Sequence, residues 1–564
     1  MNTKVVIVGL DAATFSLINK YIGEGSLPNM QHMISNGSSG LLLSTPNMHS
    51  ASSWTSIITG KNPGKHGIYV FSDRLFASNK QAIFTGADRK CESMFRILTK
   101  AGYKVGMMNI PMTYPAESAP GSFMISGLDA PIFDEKAFSP AGLRQEILAK
   151  FPDYAPTPPD LSKYMEVQDL DGAINLWLKL SHTHTEAAKD LIKRYNPDVF
   201  MIVYTATDWV QHYFWKYIEP RHPEYVEAEA VLYRDTIKRF YSVMDDIIGQ
   251  LKEVAGQQAN TIIVSDHGMG PNTQGSFHIV EWLMEAGFMA MQPEEAIASA
   301  ASVPSKAQER AQELKNSVQQ VVKTFLPSSV RSTIKNMIGE KAAPIANKDR
   351  FYSRVIWEQT LAYSEPGRNI ININLKGRNK FGIVEPSDYD KVCDELIAKI
   401  KGWLDPDTGL PVVKAVKKRS EMYHGPYVES SSDMYVHWNS DAILQRSTPE
   451  IIRKKKFWWN GTHRPHGIII CDGPKVEANN TLEGACVYDI VPTVLNLVGA
   501  EAPADLDGQV LVEAMVGTDK TKISKPKIDS NDDSNNSSLP TSATDLSDDE
   551  ESNVAEKLRS LGYL

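Results

Sequence analysis

Three acids in this sequence stand at or just beyond short apolar runs: Asp11 after VVIVGL, Asp208 after VFMIVYTAT, and Asp266 after NTIIVS. Two of them have a histidine close by. Asp266 is followed directly by His267 and then by Gly-Met-Gly, and Asp208 is followed by His212 in TDWVQHYFW. The i,i+4 spacing of that second pair puts both side chains on one helix face. His463 and His466 occur together in GTHRPHGIIIC, ahead of another apolar run, and either could join a ligand set. Carboxylates and imidazoles converging from several strand ends are what a hydrolytic site with two divalent cations requires. Each residue also has a plainer use. Asp11 could cap the next helix, and a histidine in an aromatic helix often only fills a hydrogen bond. Ser50, in MHSASSWTSIITG, is the hard case, because a serine at a helix start is most often a cap. Its hydroxyl is a poor nucleophile unless a base or a cation lowers its pKa. Beside two Asp-His pairs, a strand-end Asp and a further His, a second use gains weight. A serine on a helix N-terminus, followed by the small Ala51 and Ser52, lets free backbone amides approach a phosphate.

The elements that must hold these residues read as alternating strands and helices. Lys4 to Leu10 is a Val/Ile-rich run of the buried parallel type. SLPNMQHMISNG predicts a helix stopped at Gly37, and SMFRILTKAGYKVGMMNIP predicts helix, glycine stop and strand. Val199 to Tyr204, NTIIV and HGIIICD predict further strands, while Glu224 to Val254 and VYDIVPTVLNLVGA predict helices. Such alternation argues for an α/β fold with a mostly parallel central sheet flanked by helices. In open sheets of this kind ligands bind beyond the carboxyl ends of the strands, which is where Asp11, Asp208 and Asp266 fall.

The 564 residues carry a net charge of −9, partly from an acidic tail, so there is no basic footprint for nucleic acid. The four cysteines, Cys91, Cys393, Cys471 and Cys486, are scattered without CxxC spacing, which offers neither a disulfide framework nor a thiolate zinc site. The first apolar run is short for a signal peptide and is broken early by Asp11, and no stretch of about 18 apolar residues occurs. The cytoplasm is the expected compartment. Pro293 to Pro344 is Ala, Gln, Lys and Ser-rich with amphipathic helical spacing, followed by the strand-like NIININ and the amphipathic DYDKVCDELIAKIKGW. The expected organisation is therefore a core of residues 1–292 and 438–516, and an inserted α+β region over 293–437. A disordered acidic linker is expected over 517–553, and a short helix over 554–564.

The pieces VVIVGLDAATF, HSASSWTSIITGKNPGKHGIY, YTATDWVQHYFW, IIVSDHGMG, GTHRPHGIIICDGP and VYDIVPTVLNLVGAEAPADLDG occur in an order that resembles the alkaline phosphatase superfamily. Within it, the likeness is to type I phosphodiesterase/nucleotide pyrophosphatase-like proteins, in a prokaryotic branch. The resemblance implies an alkaline phosphatase-like fold and two divalent metal ions, zinc by expectation with manganese as the alternative. By the same likeness Ser50 is the nucleophile, sharing one metal with Asp11, Asp266 and His267, and Asp208, His212 and His463 hold the second. His466 stays outside the set. Ser50 stands where nucleotide pyrophosphatases usually have threonine, and Trp54 stands where sulfatases carry arginine, which disfavours a formylglycine sulfatase. The implied activity is metal-dependent hydrolysis of phosphodiester or phosphoanhydride bonds in a small phosphorylated substrate, through phospho-Ser50. A phosphomonoesterase, phosphotransferase or mutase on the same metals is the alternative, and a non-catalytic binding protein on this fold is a third reading.

Overall fold

A computed structural model describes residues 3–130, 133–158, 164, 169–272, 278–293, 351–406, 408–439, 459–517, 553–555 and 557–558. The helices expected between Pro293 and Pro344, and all but the ends of the acidic linker, lie outside the described residues.

Nine strands make the central sheet: β1 (Val5–Leu10), β2 (Ser38–Leu43), β3 (Val105–Ile110), β4 (Phe123–Ser126), β5 (Phe138–Ser139), β6 (Val199–Tyr204), β7 (Asn260–Val264), β8 (His466–Asp472) and β9 (Asn480–Leu482). Their spatial order is β9-β2-β8-β7-β1-β6-β3-β4-β5. The middle is parallel, with β1 paired to β6 on one side and β7 on the other. β8 runs antiparallel between β2 and β7, and β5 is antiparallel to β4.

Period-2 alternation explains why β1 is apolar throughout. Val6, Val8 and Leu10 enter one buried cluster, while Val5 and Ile7 enter another on the opposite face. β6 divides in the same way, with Phe200, Ile202 and Tyr204 on the first face and Val199, Met201 and Val203 on the second. A strand covered on both faces has no polar side, so it reads as a continuous hydrophobic run. The first face is covered by helices that include α2 (Leu170–Tyr195), α3 (Ala206–Phe214) and α4 (Thr236–Ala255); the second is covered by α1 (Ser50–Thr59) and α5 (Ile490–Val498), among others. The single helix expected over Glu224 to Val254 is two, Glu227–Tyr233 and α4, separated at Arg234 and Asp235. Tyr233 packs on Phe214 and Tyr217 while α4 lies on the sheet, so the chain must turn between two packing surfaces.

The chain forms two compact units. One comprises Met1–Leu75, Lys80–Phe277 and Leu404–Leu564; the other comprises Phe76–Asn79 and His278–Trp403. Within the second unit Trp282 stacks on Trp403, and within the first His424 and Tyr423 pair with Asn62 and Tyr69. The second unit is α+β, with antiparallel strands Ala362–Tyr363 and Ile370–Ile373 and a helix, Tyr389–Lys401, that buries Cys393, Leu396 and Ile400. No helix among the described residues is long and apolar enough to cross a membrane.

Candidate active site

The three neighbouring parallel strands β7, β1 and β6 deliver Asp266, Asp11 and Asp208 to the same edge of the sheet, all fully buried. Asp11 does not cap a helix. The next helix starts after Thr14, and Asp11 Oδ2 instead accepts from Trp54 Nε1 of α1 at 3.0 Å. Gly9 makes this reach feasible: a Cβ there would lie 2.5 Å from the Trp54 ring. The Thr207 hydroxyl donates to the Asp11 carbonyl at 2.6 Å, and Gln211 Nε2 donates to the Ala12 carbonyl at 3.0 Å. Ala12 has φ 59°, a conformation that costs a non-glycine residue, and its amide donates to Asp266 Oδ1 at 3.3 Å.

Ser50 is not a cap either. The cap of α1 is His49, whose Nδ1 accepts from the Ala51 amide at 3.2 Å, and Ser50 is the first helical residue. The Ala51 amide, expected to face an anion, is therefore directed to His49 in this state. Every residue of α1 is buried, and its hydroxyls find hydrogen-bond partners within the protein. Thr55 and Thr59 donate to carbonyls one turn back, Ala51 and Thr55. Thr45 bonds Ser52 and Ser53, and Ser44 bonds Ser53 and donates to the Asp266 carbonyl at 2.6 Å. The hydroxyl cluster thus ties the start of α1 to the end of β7.

Ser50 Oγ is 3.2 Å from His267 Nε2, which is 3.2 Å from Asp266 Oδ2 and 3.7 Å from Asp11 Oδ1. A second triangle is formed by His212 Nε2, His463 Nε2 and Asp208 Oδ1, with sides of 3.1, 3.2 and 3.5 Å. Four ligands about 2.0–2.1 Å from a tetrahedral zinc stand about 3.3–3.4 Å from one another, so both groups have the right spread. Asp208 also lies within 4.8 Å of Asp11 and His267, joining the two groups, and the rings of His267 and His463 stack at 3.7 Å. His466, by contrast, is exposed and pairs through its backbone with Leu43.

All three histidines turn the same atom inward. Nδ1 of His267, His212 and His463 donates to the carbonyls of Gly268, Gly461 and Met48 respectively, so each Nε2 is the atom that faces the cluster. A carbonyl can only accept, so Nδ1 carries a proton in each ring and the ring's orientation is held, as in metal sites where an outer partner orients a ligating imidazole. Met48 presents its carbonyl from a φ of 49°, a second non-glycine residue in the left-handed region.

The electrostatics favour cations. Burial, and then the charges of Asp266 and Asp208, hold the Asp11 carboxyl well above its ordinary range, and burial likewise raises Asp266. Burial also opposes charge on Asp208, but His212 and His463 outweigh it and lower this carboxyl. His463 is raised because Asp208 outweighs its own burial, whereas His267 is lowered by burial and by His463. Asp11 Oδ1 and Asp266 Oδ2 are buried without a hydrogen-bond donor. Buried carboxylate oxygens left like this cost several kcal/mol unless a cation meets them. The residues fit divalent ions.

The profile of the family described as type I phosphodiesterase / nucleotide pyrophosphatase matches residues 5–441. The chain belongs to this family. It is thereby a member of the alkaline phosphatase superfamily and a phosphoric ester hydrolase, in a family whose members typically depend on two metal ions. Solved structures that resemble it include murine ectonucleotide pyrophosphatase / phosphodiesterase 5 in an inactive form with AMP (14% identity, 89% of this chain and 96% of that one, TM-score 0.47). Another is phosphonoacetate hydrolase from Sinorhizobium meliloti 1021 with phosphonoformate (15% identity, 89% and 96%, TM-score 0.49). No curated protein matches the sequence.

The structure brings all seven residues singled out from the sequence together within one unit. Sequence reasoning passed over the residues that orient them: Trp54, Thr207, Gln211, Ser44 and the Met48 carbonyl. Only Trp54 gave a signal, as a large aromatic within a run of small hydroxyl residues, and it served there only to disfavour a sulfatase.

Proposed function

We propose that this hydrolase cleaves phosphodiester or phosphoanhydride bonds in a small phosphorylated substrate through a covalent phospho-Ser50. The observation that carries the reading is Ser50 Oγ at 3.2 Å from His267 Nε2, on the first turn of a buried helix, with the undonated oxygens of Asp11 and Asp266 beside it. Asp11, Asp266 and His267 would hold one divalent ion with Ser50, and Asp208, His212 and His463 the other. Zinc suits this nitrogen and carboxylate donor set, and manganese is the alternative. Bound there, the ions would supply the positive charge that lowers the Ser50 pKa and offsets charge on the attacking and leaving oxygens.

The chain's own part is placement. Ser50 gives up its proton to solvent, its oxygen bonds to phosphorus, and the opposite P–O bond breaks to release the leaving group, whose oxygen takes a proton from solvent. Water then attacks the phosphoserine, and the Ser50–phosphorus bond breaks to return the hydroxyl. The first group is fully buried, whereas the side chains of His212 and His463 are 13% and 23% exposed. Leaving group and water therefore enter and leave on the His212 side, where Trp459 packs on the ring and is itself packed on by Tyr213. The test is turnover of bis-p-nitrophenyl phosphate against p-nitrophenyl phosphate with zinc or manganese. Preference for the diester, with loss of phosphoserine formation in Ser50→Ala, supports the reading. Preference for the monoester overturns the diesterase assignment, and phosphate transfer to an added alcohol in place of water overturns hydrolysis as the main reaction.

A further inference from the structure

The chain returns to the active site at its far end. Residues 553–555 and 557–558 are helical, and Val554 and Leu558, four positions apart on one face, are fully buried. They form a cluster with Ala51, Ile68, Phe71, Met112 and Leu128. Ala51 directly follows Ser50. Phe71 packs edge-on against His49, the cap of α1, with ring centroids 5.3 Å apart. The segment thus bears on both neighbours of the nucleophile. A polar anchor supports the apolar one. Lys557 Nζ donates to the Ala130 carbonyl at 2.7 Å, beside Asp129, which is buried and accepts from the amides of Met112 and Tyr114 at 2.9 Å each. Met112 carries this loop into the same cluster. Among the described residues, the chain last packs on the central sheet around Ala514 and Met515, well before this segment.

We infer that the C-terminal segment around Val554 and Leu558 is a positioning element for the reaction: docked, it holds His49 and the first turn of α1 so that Ser50 points into the cluster of Asp11, Asp266 and His267. It touches neither substrate nor reacting atoms and acts through Ala51 and Phe71. The inference rests on the reading of Ser50 as nucleophile.

The test places Val554→Asp and Leu558→Asp together in the full-length chain. The expected result is faster hydrogen exchange of the amides of Ser50 to Trp54 and a kcat about tenfold to a hundredfold lower, the range that small misplacement of a reacting group causes. KM and bound metal stay as in the unaltered chain, and a peptide of residues 553–564, added in trans, restores kcat. Exchange and kcat both unchanged would overturn the inference. So would a rise in kcat, which belongs to an inhibitory plug, or a loss of kcat that comes with lost metal and is not restored by the peptide. Should the double variant fail to fold, Leu558→Ala is measured in the same way against the same outcomes. The exchange measurement separates the two readings. A chain that turns over no phosphoester sinks the assignment of Ser50, while amide protection that ignores the terminal segment sinks this inference alone.

Discussion

The two ends of α1 use the same residue type in opposite ways. At its start, Asp11 and Asp266 are buried with oxygens that no donor meets, and their carboxyls are held above the ordinary range. At its end, Asp507 is almost as enclosed but fully partnered. It accepts from the Asn62 amide at 2.7 Å and Asn62 Nδ2 at 2.9 Å, and pairs with Lys65 at 2.6 Å and His424 at 2.9 Å. Burial would raise its carboxyl, but these partners, led by His424 and Lys65, hold it far below the usual range. Gly60, at φ 69°, ends the helix, and its carbonyl accepts from the amides of Asp507 and Gly508. One end leaves its acids unsatisfied and invites cations; the other satisfies its acid and closes the fold. The comparison separates residues that should matter to activity from residues that should matter to stability, although both groups border one buried helix.

The largest effect should come from the first end. Ser50→Ala should lose about a thousandfold or more in turnover, because covalent attack is removed while electrostatic stabilisation remains. Thermal stability and bound metal should stay as they were, and steady-state kinetics with metal analysis checks all three. Near-normal turnover would mean that water attacks directly and would reduce Ser50 to the first residue of a helix. Asp266→Ala should come next. One of two bound ions should be lost and activity should fall with it, while Asp208, His212 and His463 retain the other. Metal analysis that finds both ions kept would break the grouping. Replacing His463 by Ala should weaken the second ion and abolish activity, whereas His466→Ala, at an exposed strand start, should cost little. The reverse order would mean that the loop before β8 is used differently from its geometry.

The second end should answer in the other currency. Asp507→Ala removes the acceptor of several hydrogen bonds from charged and backbone donors. It should therefore destabilise the fold by about 3 kcal/mol, the scale of breaking a buried charged network, with kcat unchanged. Denaturant unfolding and steady-state kinetics on the same sample check it. A large fall in kcat at small cost in stability would show that the two ends of α1 are coupled.

What the sequence exposes and what it hides follows the same division. The strand-end acids were legible because β1, β6 and β7 are buried on both faces and read as unbroken apolar runs, so an Asp that ends one is conspicuous. The Asp208–His212 pair was legible because helical spacing is local. The cap of α1 was not, because capping by His49 through Nδ1 is a rare use of that residue and Ser50 offers the commoner one. Trp54 on Asp11, Met48 on His463 and Gln211 on Ala12 were hidden because each contact joins positions far apart in the chain, and neither periodicity nor propensity carries that information. The break at Arg234 and Asp235 has no Gly or Pro to mark it; two packing surfaces impose it. Pairs such as Trp282 on Trp403 and His424 on Asn62 are hidden for the same reason, since composition marks where the sequence becomes unusual but not which residues meet.

The smallest expected effect is the sharpest test of the contrast, because it depends on sign. A carboxyl whose pKa is depressed in the folded state contributes stability that is present above the unfolded value and is lost as pH falls through the folded one. For Asp507 the unfolded value is about 3.9, and the folded value lies well below it. Its contribution should therefore be complete at neutral pH and should drain away only below about pH 4. Asp507→Asn keeps the shape and an acceptor oxygen but has no charge to lose. Its stability should be lower than that of the unaltered chain at pH 7, and the gap should begin to narrow only as the pH falls below about 4. Urea unfolding at a series of pH values, in metal-loaded protein so that the acids at the other end of α1 do not titrate, measures the gap directly. A gap that stays constant with pH would mean that Asp507 acts through shape and hydrogen bonding alone, and the electrostatic half of the comparison would fail while its geometric half stood.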